Sequence, residues 1–348
     1  MQQVVYVANP LSGLIHVFAL TEDELAPLQR VQTGGQVQPL VISPDRRWLY
    51  AGVRPDFRVL SYPIAADGRL GEPFSAPLEG SASHTCTDGT GRLFFAASYA
   101  FDHVSLSPVD EAGRVQAPHQ RLDCLMAAHS VTWLVGKDGV QELLVACLKE
   151  DVIRRFTLDD DARLAPHPQG DIHTAPGAGP RHLALHPNNG DLYCLNELDG
   201  TLNRYHREAD GRIRARQSLD LLPAGYEGKR WGADLHLTPD GRFLYTSERT
   251  SSLLTLFGVD EVDGALASLG HFPTESCPRG FVIDHGGRWL IATGQQSHEV
   301  ALHRIDPDSG RLTLLARHPV GEGAMWVRVL DLGKGGQGPL VAEVDAAP

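Results

Sequence analysis

Apolar residues in this chain gather in short runs rich in Val, Ile, Leu, Phe and Tyr, each closed by Gly, Pro, Asp or Asn. Runs of that kind, punctuated by turn formers, predict many short β-strands joined by tight turns. A helical reading fails on periodicity. No stretch longer than about ten residues keeps apolar positions at i, i+3 or i+4, and i+7. The 36 glycines and 23 prolines are spread over the whole length rather than collected in one linker, so the turns recur throughout.

The recurrence is a repeat. Ser43-Pro44-Asp45-Arg46-Arg47-Trp48-Leu49-Tyr50 returns as Thr238-Pro239-Asp240-Gly241-Arg242-Phe243-Leu244-Tyr245, with weaker copies at His186–Tyr193 and Asp284–Ile291. Each copy is a turn between an apolar strand and a second strand that opens on two large hydrophobic residues. Aligned, those pairs are Val5-Tyr6, Leu49-Tyr50, Phe94-Phe95, Leu144-Val145, Leu192-Tyr193, Leu244-Tyr245 and Leu290-Ile291. They recur on average about every 48 residues, room for four strands and their turns. Seven such units predict an all-β fold, a seven-bladed β-propeller with four-stranded blades.

Closure of the ring is also predicted. The chain begins on a second strand, Val4–Ala8, and Met325–Leu330 is left over after the seventh copy. Paired in one blade, the N-terminal and C-terminal strands would close the ring and remove its open edges. Residues 1–332 are read as the propeller, and 333–348 as a flexible C-terminal tail.

Repeat topology then selects a face. The inner strand begins, and the second strand ends, on the same rim of the disk, while the turn between them lies on the other. One rim therefore gathers Gln38, His84, His129, Arg181, His182, Asp234, Arg279 and Trp326, with Arg54, Tyr99, Lys149, Glu197 and Arg249 beside them. The opposite rim is expected to carry mainly turn chemistry. A formal net charge of −12 argues against a nucleic-acid or anionic-membrane partner. Against that background, Arg54, Lys149, Arg181, Arg249 and Arg279 on one rim point to recognition of a small anion. A lone rim arginine is usually an ion-pair partner of little weight. Several converging on one mouth fit capture of a phosphate or carboxylate. Glu197 shares a blade with Arg181, which would hold it ionised. His84 and His129 lead inner strands, where a neutral imidazole either activates water or bonds a backbone carbonyl. Asp234 reads as a base or as a pin for Lys229 or Arg230, Trp231 as a wall or lid, and His236 as structural.

Other chemistries find no support. There is no GxSxG elbow, no HExxH, no GxxxxGK[ST] and no EF-hand loop. No cofactor and no metal are expected. Cys86, Cys124, Cys147, Cys194 and Cys277 are scattered, with no CxxC, and read as reduced, buried thiols of a cytoplasmic protein. No apolar run approaches the roughly 20 residues of a membrane span, and Met1–Gly13 lacks the pattern of a secretory signal. A monomer or weak homo-oligomer, without nucleic-acid or membrane partner, is expected.

Several segments together carry a resemblance: Gly35–Pro39, Gly52–Leu60, Gly177–His182, Asn196-Glu197-Leu198, Arg230–His236 and Thr274–Phe281. The chain resembles the bacterial 6-phosphogluconolactonases of the seven-bladed propeller type, the cycloisomerase-2 or lactonase family, over its length to about Leu330. That resemblance implies hydrolysis of 6-phospho-D-glucono-1,5-lactone to 6-phosphogluconate in the pentose phosphate pathway. The substrate would be a small anionic sugar-phosphate lactone. Through a fungal carboxymuconate lactonizing cousin, it also implies a catalytic His, two Arg and a Glu, here His129, Arg181, Arg249 and Glu197. Arg54, Lys149, His182, Asp234, Arg279 and Trp326 would bind substrate. Which of Arg54, Lys149 and Arg279 takes the phosphate, and whether Glu197 or a histidine is the base, stays open at this level. The alternatives are a lactonase or cycloisomerase for another carboxylated lactone, and a non-catalytic binding platform.

Overall fold

The computed structural model describes residues 3–136, 139–208 and 210–333; the expected tail from 334 onward lies outside the described residues. Seven antiparallel sheets follow one another along the chain. Their innermost strands are Trp326–Asp331, Gln36–Ile42, His84–Thr87, Ala128–Val135, Pro180–Leu185, Gly232–Leu237 and Phe281–Ile283, for blades 1 to 7 in that order. Each inner strand packs against the next, and the last against the first, so the ring is complete. Six blades have four strands; in blade 4 the short strand Ile172–His173 also pairs with Val152–Leu158, making a fifth.

Closure follows the expected scheme. Gln3–Asn9 pairs on one side with Leu14–Thr21 and on the other with Trp326–Asp331, placing both ends of the propeller in blade 1.

The doubled hydrophobes have a simple cause. A second strand is sandwiched between two neighbouring blades, so both of its faces are dry and the usual in/out alternation disappears. In blade 1, Val4, Tyr6 and Ala8 pack toward blade 2, while Val5 and Val7 pack toward blade 7. Seven apolar clusters fill the seven interfaces between blades in this way. At about 1.5–3 kcal/mol for each fully buried Val, Leu or Phe, these interfaces dominate the stability.

The repeated turn is held by its own side chains. Ser43 Oγ donates to Asp45 Oδ1 at 2.6 Å and accepts the Trp48 N–H at 3.0 Å, while Asp45 Oδ1 also accepts the Arg47 N–H at 3.1 Å. Thr238 and Asp240 repeat the pattern. The residue after Asp is left-handed in both copies, Arg46 at φ 61° and Gly241 at φ 78°, and only the second copy uses the residue that favours it.

Two readings of the thiols need correction. Cys124 is exposed and Cys86 only half-buried, because one lies in the connection leaving blade 3 and the other on a channel-lining strand. Cys147, Cys194 and Cys277 are buried as expected. Among the described residues, no helix is long and apolar enough to cross a membrane.

Candidate active site

Four inner strands break register where they begin. Pairing skips from Val37 to Leu40 in blade 2, Ala128 to Ser130 in blade 4, Pro180 to His182 in blade 5 and Gly232 to Leu235 in blade 6. The residues left unpaired there are Gln38 and Pro39, His129, Arg181, and Ala233 with Asp234. A bulge of this kind bends the strand and re-aims its side chains. Consecutive residues can then work together: Arg181 Nη1 donates to His182 Nε2 at 3.1 Å.

Glu197 sits one residue past its strand, its N–H bonded to the Gly179 carbonyl at 2.7 Å. Gly179 adopts φ 68°, and a Cβ there would meet Leu198 at 2.6 Å, so the approach to Arg181 requires glycine. Glu197 Oε2 accepts from Arg181 Nε and Arg249 Nη2, each at 2.8 Å, and Oε1 accepts from Trp231 Nε1 at 3.2 Å. The Arg249 guanidinium carbon lies 4.0 Å from the centre of the Trp231 ring. Arg249 also donates to the Gly232 carbonyl, and Arg181, wholly buried, to that of Ala233. Arg181 Nη2 is buried without a partner.

Charge in this cluster is unbalanced. Burial raises the Glu197 carboxyl, but Arg181 and Arg249 more than reverse it, leaving the group below its ordinary range and ionised. Burial, then the Arg249 charge, brings Arg279 down to about 10. Among the described residues, Arg279 meets no carboxylate and no hydrogen-bond acceptor, and its Nε is buried unpaired. Arg54 donates through Nε to Gln36 Oε1 at 2.9 Å and has no ion pair among the described residues; its charge is close enough to depress Arg279. Among the described residues, Glu197 is thus the carboxylate that pairs directly with this group of four guanidinium groups, while Glu248 and Asp234 act on Arg249 and Arg181 from further away.

His129 is buried, and neither ring nitrogen is hydrogen-bonded among the described residues. Burial, then the Arg181 charge, pushes its pKa well below 6.5, so the ring is neutral. Tyr99 packs edge-on against it at 5.7 Å between centroids, and Lys149 Nζ lies 5.9 Å from the Tyr99 ring centre. Lys149 itself is exposed on a 3-10 turn, Leu148–Glu150.

Three residues lie one layer deeper. His182, His84 and Trp326 form an aromatic layer across the channel, with centroids 5.2, 5.4 and 6.0 Å apart. Because His182 Nε2 accepts from Arg181, its Nδ1 carries the hydrogen, donated to Asp234 Oδ1 at 2.7 Å. Burial, then Arg181, lowers His182 to about 4. Asp234 Oδ1 also takes the Leu235 N–H, and Oδ2 takes His236 Nε2 and the Phe281 N–H. Its carboxylate therefore pins histidines, not Lys229 or Arg230; Arg230 pairs with Asp220 at 2.6 Å. Trp326 Nε1 donates to the Leu40 carbonyl at 2.9 Å. Of the ten site residues read from the sequence, His129, Arg181, Glu197, Arg249, Arg54, Lys149 and Arg279 gather at the rim. His182, Asp234 and Trp326 are already engaged with the protein.

Below that layer the channel widens into a cavity of about 840 Å³ reaching the turn rim, so that rim holds more than turn chemistry. Arg328 faces it, a residue the sequence reading passed over. Its signal was a lone cation inside the apolar strand Trp326-Val327-Arg328-Val329-Leu330. Among the described residues, no group of three or more His, Cys, Asp or Glu is set to hold a metal ion.

Residues 4–329 match the family described as Lactonase, 7-bladed beta-propeller. The chain belongs to that family. A 6-phosphogluconolactonase of Serratia proteamaculans (strain 568) is 51% identical over 332 residues, spanning 95% of this chain and 99% of its own. A solved structure from Bacteroides fragilis NCTC 9343 superposes with TM-score 0.84 at 22% identity, covering 95% of this chain and 98% of the other. The Pseudomonas aeruginosa periplasmic gluconolactonase superposes with TM-score 0.82 at 25% identity, covering 95% and 100%. The resemblance read from the sequence segments is thus a true family relationship of the lactonase propellers.

Proposed function

We propose that this protein is a 6-phosphogluconolactonase, hydrolysing 6-phospho-D-glucono-1,5-lactone to 6-phosphogluconate. The observation that carries this reading is the 51% identity, over nearly the full length of both chains, to a relative of that name. The unbalanced cationic rim supports it, since a sugar phosphate supplies the missing negative charge.

The residues divide the work as follows. Arg279 and Arg54, the two rim guanidinium groups without carboxylate partners among the described residues, hold the 6-phosphate, with Lys149 at the outer edge. Arg249 polarises the lactone carbonyl, because Glu197, Trp231 and the Gly232 carbonyl fix its guanidinium in advance of the reaction. His129 is the base. It is neutral and uncommitted, whereas Glu197 is held ionised by two arginines and is a poor proton acceptor. Water adds to C1 as its proton passes to His129, and the carbonyl oxygen becomes an oxyanion beside Arg249. The bond from C1 to the ring oxygen then breaks, and that oxygen takes the proton back from His129, leaving the open-chain acid. Arg181 and Glu197 are positioning residues for Arg249, and the Asp234–His182 pair positions Arg181 in turn.

The test is ring opening of freshly generated 6-phosphogluconolactone by purified protein, corrected for spontaneous hydrolysis, beside unphosphorylated glucono-1,5-lactone. Acceleration with preference for the phosphorylated lactone is expected. A rate equal to the blank overturns the assignment, and a preference for the unphosphorylated lactone moves it toward a gluconolactonase.

A further inference from the structure

The inner strands leave the channel half-filled on the turn rim. Trp133, Leu183, Leu185 and Leu237 from three blades stay partly solvent-accessible, and a cavity of about 840 Å³ lies between them. Its volume falls within the range of pockets that hold small organic molecules. Trp133, Leu183, Leu185 and Leu237 give this lining an apolar face beside Arg328 and His236.

One cation in this lining lacks a carboxylate partner among the described residues. Arg328 donates only Nη1, to the carbonyl of its own neighbour Val327 at 2.9 Å, and no carboxylate lies within 4.0 Å of it among the described residues. Its guanidinium carbon stands 5.1 Å from the centre of the Trp326 ring. The nearest negative group, Asp234, already accepts four hydrogen bonds, from His182, His236 and two backbone N–H groups. At the outer edge, Asp88 caps its own turn through Thr90 and Leu93, and Glu208 pairs with Arg214 and Arg216. A half-buried cation without a carboxylate partner among the described residues, set beside apolar side chains, makes a site for an anionic acceptor with an apolar body.

The layer of His84, His182 and Trp326 separates this cavity from the rim cluster, and none of Arg181, Glu197, Arg249 and Arg279 lines it. We propose that the turn-rim end of the channel is a second binding site, distinct from the lactone site, for a small aromatic or aliphatic monocarboxylate held by Arg328. The inference stands on the cavity alone and does not depend on the proposed lactonase activity.

Benzoate is the probe, titrated into the full-length protein by calorimetry, with benzyl alcohol as the uncharged control. Saturable benzoate binding is expected, weakened at least tenfold in Arg328→Met and absent for benzyl alcohol at equal concentration. Leu185→Trp, which fills the cavity and leaves Arg328 in place, should also abolish binding; it decides the matter if Arg328→Met fails to fold. Saturating 6-phosphogluconate should leave the benzoate affinity unchanged within twofold. No benzoate binding by the wild type up to 50 mM overturns the proposal. So does binding unaltered in both variants, or competitive displacement of benzoate by 6-phosphogluconate.

Discussion

Arg279→Met isolates the group assigned to the phosphate. The side chain keeps its volume roughly and loses its charge, and no protein partner is orphaned because Arg279 has none among the described residues. Hydrogen bonds to a charged group contribute about 1.5–3 kcal/mol, and every 1.4 kcal/mol is about tenfold. The blank-corrected kcat/KM for 6-phosphogluconolactone should therefore fall about 10- to 150-fold, chiefly through KM. Unphosphorylated glucono-1,5-lactone offers nothing for Arg279 to hold, so its kcat/KM should change less than threefold. The melting temperature should hold or rise, since a positive charge is removed from beside Arg249 and Arg181. Equal losses on both lactones would put Arg279 at the carbonyl instead. No loss on either would remove it from the site.

Glu197→Gln takes the carboxylate from between two buried guanidinium groups, and chemical denaturation should record a loss of about 3–5 kcal/mol. Stability unchanged from wild type would mean that Arg181 and Arg249 do not depend on it. His129→Ala should lower kcat about 10²- to 10⁴-fold with the fold intact by circular dichroism. A base acts only when deprotonated, and burial has pushed His129 well below 6.5. The blank-corrected wild-type rate should accordingly stay level from pH 8 to pH 6.5, where an ordinary imidazole would already be losing half its activity. Arg46→Gly relieves a left-handed backbone at φ 61° and should add about 1 kcal/mol of stability without touching activity; a destabilised variant would show that the Arg46 side chain matters more than its backbone.

Most of the architecture was legible because second strands are buried on both faces. Val4 to Ala8 and their six counterparts announce themselves as unbroken apolar runs, and their even spacing counts the blades. Closure was legible for the complementary reason: Val4–Ala8 had no inner strand before it and Met325–Leu330 had none to follow. The rim was legible because an inner strand, its turn and a second strand have nearly constant length, which brought Arg181 opposite Glu197 without any structure. Depth was not legible. It depends on the bulges at Gln38, His129, Arg181 and Asp234, where one or two extra residues change which side chains face the mouth. That is why His182 and Asp234 lie beneath the cluster they were grouped with, while Trp326 lies there on a strand without a bulge. Nor does a sequence state which polar atoms are already taken, the property that distinguishes idle Arg279 from the fully engaged Asp234. The turn rim was undervalued because Arg328 belongs to no repeat motif and its cavity arises from what the inner strands leave empty.

Arg249→Lys probes the central claim with the least disturbance. It keeps the charge beside Glu197 but loses the planar fork that Glu197, Trp231 and the Gly232 carbonyl hold in place. With melting temperature close to wild type, the blank-corrected kcat for 6-phosphogluconolactone should drop at least 10²-fold, as for loss of an oxyanion donor. A variant that opens the lactone as fast as the wild type would contradict catalysis at this cluster.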